Sequence, residues 1–199
     1  MKHMGKDRKD FTMRIILASK SPRRKELLSK LGYDFITYNI NVDETIDSYD
    51  SYVDFVEKTV LKKAQFAKND FPNDIVICAD TIVVCENKIL GKPHNKEEAY
   101  KMIALLSGRT HLVVTSVSIV YQNNYKIFTE STEVEVIQMT EEEIQGYINT
   151  PEPYDKAGGY AIQGIFSKYI SRINGDYYTV VGLPLCRLNQ ELKKIINQQ

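Results

Sequence analysis

Residues 15–31 read IILASKSPRRKELLSKL, and this stretch indicates the fold class of the chain. The apolar pattern of residues 14–18 predicts a strand, and the pattern of residues 22–31 predicts a helix. Ser21 suits the position that caps the helix, and Pro22 suits the first helical turn, where its missing N–H has no partner to lose. A strand that passes through a short turn into a helix is typical of α/β proteins.

The same turn is a candidate anion site. The free N–H groups at the start of the helix and the positive end of its dipole favour a phosphate. Arg23 and Arg24 add forked donors that match phosphate oxygens. The alternative is an ordinary capped helix with two solvated arginines, and the turn alone does not decide between the two.

The rest of the chain alternates predicted strands and helices. Further strands are predicted at residues 34–38, 75–79, 81–84, 88–90, 111–121, 125–137 and 169–173, and further helices at residues 52–68, 96–106, 141–148 and 185–196. Gln122-Asn123-Asn124 is predicted as a hairpin turn. This pattern predicts an α/β fold with a mixed sheet. Because no linker divides the chain, we expect a single domain over residues 13–199, with residues 1–12 as a loosely held extension.

Composition excludes several classes of function. The chain has 199 residues, and Lys+Arg and Asp+Glu both total 26, so the formal net charge is zero and no basic surplus favours nucleic acid. A stacking surface for single strands, built from the 13 tyrosines, is disfavoured because the tyrosines are scattered. No apolar run is long enough to span a bilayer, and the three cysteines lack metal-ligand spacing. We therefore expect a cytoplasmic protein that binds neither membrane nor nucleic acid and has no disulfide.

Three charged residues stand where the local pattern favours apolar or turn residues. Asp80 interrupts the apolar run of residues 75–84, where a carboxylate is costly unless it is paired, protonated or bound to a metal. The alternative is an aspartate at a strand end or bulge that caps backbone amides. Lys63 lies near the centre of the apolar stripe of the helix at residues 52–68, so it must reach solvent or meet an anion. Lys92 lies between Gly91 and Pro93 on a shaped turn, which is equally compatible with an exposed loop.

Two further stretches complete the candidate site. Glu44 lies in an acidic loop that, taken by itself, favours a solvated surface loop. Together with Asp80, however, it would offer the hard oxygen ligands that Mg²⁺ prefers. Residues 155–164, DKAGGYAIQG, contain glycines that permit close approach to a ligand. Gln163, within them, can both donate to and accept from a base or a water. The simpler interpretation of this stretch is a glycine-rich turn.

Six motifs in order resemble the Maf family of nucleoside triphosphate pyrophosphatases. They are SPRR after LAS, ADTIV, GKP, SGRTH, DKAGGYAIQG and GDYYTVVGLPL, and they run from about residue 15 to about residue 192. The paired arginines and the glutamine resemble the branch that acts on dTTP and UTP. The resemblance implies an elongated, mixed-sheet fold similar to that of the inosine triphosphate pyrophosphatases, with a cleft between two lobes. It also implies dependence on Mg²⁺ or Mn²⁺ and a homodimer.

Carried over residue by residue, the resemblance assigns roles to positions in this chain. Asp80, Lys63 and Lys92 are implied as catalytic, and Glu44 and Asp80 as metal ligands. The residues implied as substrate-binding are Ser19, Arg23, Arg24, Thr81 and Gln163. The expected reaction is the attack of water on the α-phosphorus of a nucleoside triphosphate, which releases pyrophosphate. The alternative is a nucleotide-binding regulator of cell division and septum formation whose hydrolysis is slow or incidental.

Overall fold

The computed structural model describes residues 13–197, so the expectation for residues 1–12 lies outside the described residues. Within that range the α-helices are α1 (Pro22–Ser29), α2 (Tyr52–Asp70), α3 (Lys96–Leu106), α4 (Glu141–Ile148), α5 (Tyr177–Val181) and α6 (Leu185–Asn197). Short 3₁₀ turns span Glu152–Asp155, Ala157–Gly159 and Ile165–Tyr169. None of the described helices has the length and hydrophobicity that would let it cross a membrane.

One sheet organises residues 13–197. Its strands are β1 (Ile15–Ala18), β2 (Phe35–Tyr38), β3 (Ile75–Cys85), β4 (Lys88–Leu90), β5 (Thr110–Tyr121), β6 (Asn124–Val136) and β7 (Ile170–Asn174). The order is β2-β1-β3-β5-β6-β7, and β4 pairs with β3. β1 is parallel to β2 and β3, whereas the other pairs are antiparallel. The predicted α/β fold with a mixed sheet is therefore confirmed.

Strand β3 is the element that creates room for a site. β5 pairs with it continuously from Val76 to Val84. On its other side, β1 pairs only with residues 75–77 and β4 only with residues 83–85. Asp80 and Thr81 lie in the gap between these two partners, where the edge of β3 is open.

The core is divided on both faces of the sheet. Helix α2 packs on one face in two apolar groups, one around Val60 and Val76 and one around Val56 and Ile82. The opposite face likewise carries two separate apolar clusters. Because alternate side chains of a strand point to opposite faces, Asp80 lies on the α2 face, between the two apolar groups, and Thr81 lies on the other face.

Several sequence expectations need correction. The apolar run of residues 75–84 is not broken at Asp80, because the backbone of β3 stays extended and hydrogen-bonded through it. The β5–β6 turn has two residues rather than three, since Asn124 pairs with Tyr121. Gln122 and Asn123 both adopt positive φ, which is the conformation of the tight turns that suit hairpins. The helix predicted at residues 22–31 ends earlier, at Ser29.

Candidate active site

The residues predicted from sequence meet in one cleft of about 740 Å³. This size suits a small-molecule ligand. The cleft lies at the open edge of β3 and receives side chains from both faces of the sheet. The predicted residues that line it are Ser19, Arg23, Arg24, Glu44, Lys63, Asp80, Thr81, Lys92 and Gln163.

Lys63 joins the two predicted acidic residues. Its Nζ lies 2.6 Å from Oδ1 of Asp80 and 3.1 Å from Oε2 of Glu44. The side chains of Lys63 and Asp80 are 7% and 14% exposed, whereas that of Glu44 is 57% exposed. The lysine in the apolar stripe of α2 therefore meets an anion rather than solvent. The carboxylate in β3 is paired in turn, which is the condition that makes its burial tolerable.

The turn before α1 forms as the sequence predicts. Ser21 caps the helix by accepting a hydrogen bond from the backbone N–H of Arg24, and Pro22 occupies the first turn. Ser19 accepts from the backbone N–H of Ser21, which fixes the approach to the cap. Arg23, the next residue along the helix, lines the cleft.

Arg24 is held by two contacts across the cleft floor. Its Nε donates to the carbonyl of Gly182 at 2.9 Å, and its Nη2 donates to Oγ1 of Thr81 at 3.0 Å. Burial lowers the pKa of Arg24, and the nearby Asp80 carboxylate opposes that shift by favouring the charged form. Gly182 has a φ of 120°, a backbone conformation that residues with a side chain rarely adopt, so this turn favours glycine.

The opposite wall combines the Lys92 turn with the glycine-rich segment. The N–H of Gly158 donates to the carbonyl of Gly91 at 2.9 Å and ties the two loops together. Gln163 lines the same wall and is exposed to solvent.

Sequence reasoning missed several residues of this wall. Asp155, Lys156 and Tyr160 also line the cleft. Lys156 donates to Asp155 and to the carbonyl of Glu152. The dense motif at residues 155–164 was the signal that could have found them.

Tyr160 is supported from behind by a buried histidine. Nε2 of His111 lies 2.7 Å from the Tyr160 hydroxyl, and His111 is 3% exposed. Burial lowers the pKa of His111 to about 4 and raises that of Tyr160. The imidazole is therefore neutral at physiological pH and acts as a packing and hydrogen-bonding group.

The carboxylates of the cleft fit a divalent cation whose coordination shell is completed by oxygen atoms of the substrate. Asp80 and Glu44 supply carboxylate oxygens on the side of the cleft nearest Lys63. Residues 13–197 contain no group of three His, Cys, Asp or Glu side chains placed to hold a metal together. Two carboxylates plus phosphate oxygens is the arrangement in which Mg²⁺ usually binds beside nucleotides.

Comparisons of the sequence with known proteins point to one family. A family model described as Maf-like protein matches residues 14–195. A Bacillus anthracis protein named dTTP/UTP pyrophosphatase is 50% identical over 181 residues, covering 91% of this chain and 95% of its own. A relative of the same name from Bacillus cereus (strain ATCC 10987) is also 50% identical over 181 residues, covering 91% of this chain and 89% of its own.

Solved structures show the same fold at low sequence identity. The Staphylococcus aureus Ham1 protein matches with a TM-score of 0.50 and 16% identity, covering 79% of each chain. A HAM1 protein from Coxiella burnetii matches with a TM-score of 0.50 and 15% identity, covering 94% of this chain and 100% of the other. At such identities the likeness concerns the fold alone.

Proposed function

Because the chain belongs to the Maf family, we propose that it is a nucleoside triphosphate pyrophosphatase that hydrolyses dTTP and UTP to the monophosphate and pyrophosphate. The relatives that share half of its sequence carry the name of that activity. The observation in the structure that supports it best is the ion-paired Lys63–Asp80–Glu44 group on the wall of a cleft that Arg23 and Lys92 also line. A carboxylate surrounded by cations suits water attack on a polyanion.

The first part of the mechanism is binding and orientation. Arg23 and the start of α1 meet the phosphates from one wall of the cleft, and Lys92 meets them from the other. These cations stabilise the charge that spreads over the phosphoryl oxygens in the transition state. Fixed donors lower the barrier because they need not reorganise when the reaction occurs.

The second part is activation of water by Asp80. Lys63 donates to one oxygen of the Asp80 carboxylate and so fixes its orientation. The carboxylate accepts a proton from the water that attacks the α-phosphorus, and pyrophosphate leaves. Asp80 and Glu44 would also hold Mg²⁺ or Mn²⁺, which, when bound, offsets the negative charge of the phosphates.

A panel of triphosphates with Mg²⁺ tests the reaction. We expect pyrophosphate as the first product, with dTTP and UTP turned over faster than dCTP, ATP or GTP. Orthophosphate as the first product would move the cut to the terminal phosphate and contradict the proposal. Asp80→Asn, checked for folding by circular dichroism, should lose about two to four powers of ten in kcat.

The same panel tests the regulatory alternative. Tight binding of dTTP without release of pyrophosphate would favour a nucleotide-binding regulator of septum formation. The cytoplasmic location expected from the composition and the homodimer implied by the resemblance are part of the proposal. Sedimentation of the full chain tests the dimer, and cell fractionation tests the location.

A further inference from the structure

A chain of hydrogen bonds runs beneath the cleft and joins four elements. Nη2 of Arg24 donates to Oγ1 of Thr81 at 3.0 Å. Oγ1 of Thr81 lies 2.9 Å from Oγ1 of Thr115, and Thr115 donates to the carbonyl of Thr179 at 2.8 Å. Thr115 and Thr179 are both fully buried, so water cannot substitute for these contacts.

Counting hydrogens fixes the direction of every bond in the chain. A threonine hydroxyl has one hydrogen and two lone pairs. The carbonyl of Thr179 can only accept, so the hydrogen of Thr115 is committed to it. Thr115 must therefore accept from Thr81, and the hydrogen of Thr81 points into the protein. Since Arg24 occupies one lone pair of Thr81, the hydroxyl offers the cleft one free lone pair and no hydrogen.

We infer that Thr115 is a positioning residue that makes Thr81 an acceptor only, so that the part of the nucleotide beside Thr81 is a hydrogen-bond donor. This inference rests on the proposed function. Phosphate oxygens accept hydrogen bonds and are therefore disfavoured at Thr81. The imide N3–H of uracil or thymine is a donor, whereas N3 of cytosine is an acceptor.

The placement of Thr81 supports a base rather than a phosphate at this point. Thr81 lies on the face of the sheet opposite Asp80 and Lys63. The cleft lining on this side includes the apolar side chains Ile162, Val180 and Val181. Mostly apolar walls with a few fixed polar groups, here Thr81 and Arg24, are typical of a site that binds the less polar part of a small molecule, and the base is the less polar part of a nucleotide.

The first experiment uses the wild-type protein and altered substrates. We expect kcat/KM for CTP and for N3-methyl-UTP to fall at least about tenfold below that for UTP, because each would leave the lone pair of Thr81 without a donor. Equal rates with UTP and N3-methyl-UTP would overturn the inference. If N3-methyl-UTP is accepted but 3′-deoxy-UTP is not, the donor is the sugar hydroxyl and the assignment to the base is wrong.

The second experiment tests Thr115 itself. Thr115→Val removes the acceptor, which frees the Thr81 hydroxyl to turn its hydrogen toward the cleft. In this variant we expect the UTP-to-CTP ratio of kcat/KM to fall about tenfold, mainly through KM. Thr115→Ser keeps a hydroxyl at this position and should keep the wild-type ratio. An unchanged ratio in folded Thr115→Val would contradict the inference.

Ser118→Ala is the matched control. It also removes a buried β5 hydroxyl, but Oγ of Ser118 has no hydrogen-bond partner among residues 13–197. Ser118→Ala should therefore leave the UTP-to-CTP ratio of kcat/KM unchanged. A lowered ratio in this variant would show that any disturbance of the β5 core changes specificity.

Calorimetric binding of UMP and CMP separates this inference from the proposed function. If no triphosphate is hydrolysed, the proposed reaction fails, yet a preference for UMP that Thr115→Val abolishes would still support the contact. Equal binding of UMP and CMP by the wild type would overturn it.

Discussion

At the scale of single residues, Lys63 is the most informative side chain in the cleft. It is buried, and among residues 13–197 its ammonium group forms ion pairs with the carboxylates of Asp80 and Glu44. Neighbouring Lys62, one step around the helix, contacts Asp43 and the carbonyl of Thr45 at the surface. Two adjacent lysines therefore occupy very different electrostatic environments.

Substituting each lysine by methionine tests this difference. Lys63→Met should lower kcat by about two to three powers of ten, because the cation that orients Asp80 and neutralises phosphate is lost. Lys62→Met should change kcat by less than about twofold, since exposed ion pairs contribute little. Steady-state kinetics of both variants with dTTP decide the question, and similar losses in both would contradict the assigned role of Lys63.

His111 predicts a specific pH dependence of stability. Burial lowers its folded-state pKa to about 4 from an ordinary value of 6.5, so the unfolded chain binds more protons between these values. The neutral imidazole therefore contributes fully to the free energy of unfolding above pH 6.5. This contribution is lost as the pH falls, by about 2 kcal/mol between pH 8 and pH 5. Urea unfolding at both pH values should show this loss in the wild type.

Two substitutions isolate the histidine. His111→Phe should remove about 2 kcal/mol of the difference between pH 8 and pH 5, whatever it does to stability at pH 8. His94→Gln should leave the difference in unfolding free energy between the two pH values unchanged, because His94 is exposed. If the wild type and His111→Phe lose the same free energy of unfolding, the imidazole titrates normally in the folded protein.

Sequence patterns identify some of these residues and not others, for physical reasons. Lys63 and Asp80 could be predicted because each is a charge inside an apolar pattern. Thr115 could not, because a threonine in a β-rich run is an ordinary strand residue. Its importance comes from β3 and α5, which are brought beside it only in the folded molecule.

At the scale of elements, the glycine-rich segment depends on one close approach. Gly158 has a φ of 68°, and a Cβ there would lie 2.8–2.9 Å from the side chain of Val83 in β3. The close approach of the Gly158 backbone to Val83 and the hydrogen bond from Gly158 to Gly91 hold the wall that carries Gln163. The glycine-rich segment can take this position only because Gly158 has no side chain.

Alanine substitution at two glycines tests this dependence. Gly158→Ala should destabilise the protein by about 3 kcal/mol, from left-handed strain and overpacking together, and raise KM. Gly146→Ala, in α4 with open space around the added Cβ, should instead stabilise by about 0.5–1 kcal/mol. Thermal or urea unfolding measures both, and equal stability of the two variants would show that Val83 yields to the added methyl group.

Most elements could be predicted from local periodicity, but their pairing could not. The sequence indicates strands on both sides of Asp80, and the structure joins them in β3 because β5 hydrogen-bonds along nearly its whole length. The open edge between β1 and β4 depends on where two distant segments stop pairing. The local sequence pattern does not predict where β1 and β4 stop pairing with β3.

At the scale of the whole molecule, the cleft is built by segments from residue 18 to residue 181. A ligand that contacts both walls should therefore stabilise the whole fold. With Mg²⁺, α,β-methylene-UTP at about 100 times its Kd should raise Tm by roughly 5–10 °C. Uridine, which lacks phosphates, should give a much smaller shift at the same concentration, and an equal shift would mean that the cationic wall contributes little.

The continuous strands beneath the cleft limit how it can open. β3 and β5 both contribute residues to the cleft, and β3 pairs with β5 and β5 with β6 along nearly their full lengths. Because hydrogen-bonded strands rather than a linker join the elements that line the cleft, we expect any widening of the cleft to come from extra twist shared among many inter-strand hydrogen bonds. We therefore expect the spacing between the two walls to be largely set before a nucleotide binds, so that selection among nucleotides depends on how well each one fits a preformed gap.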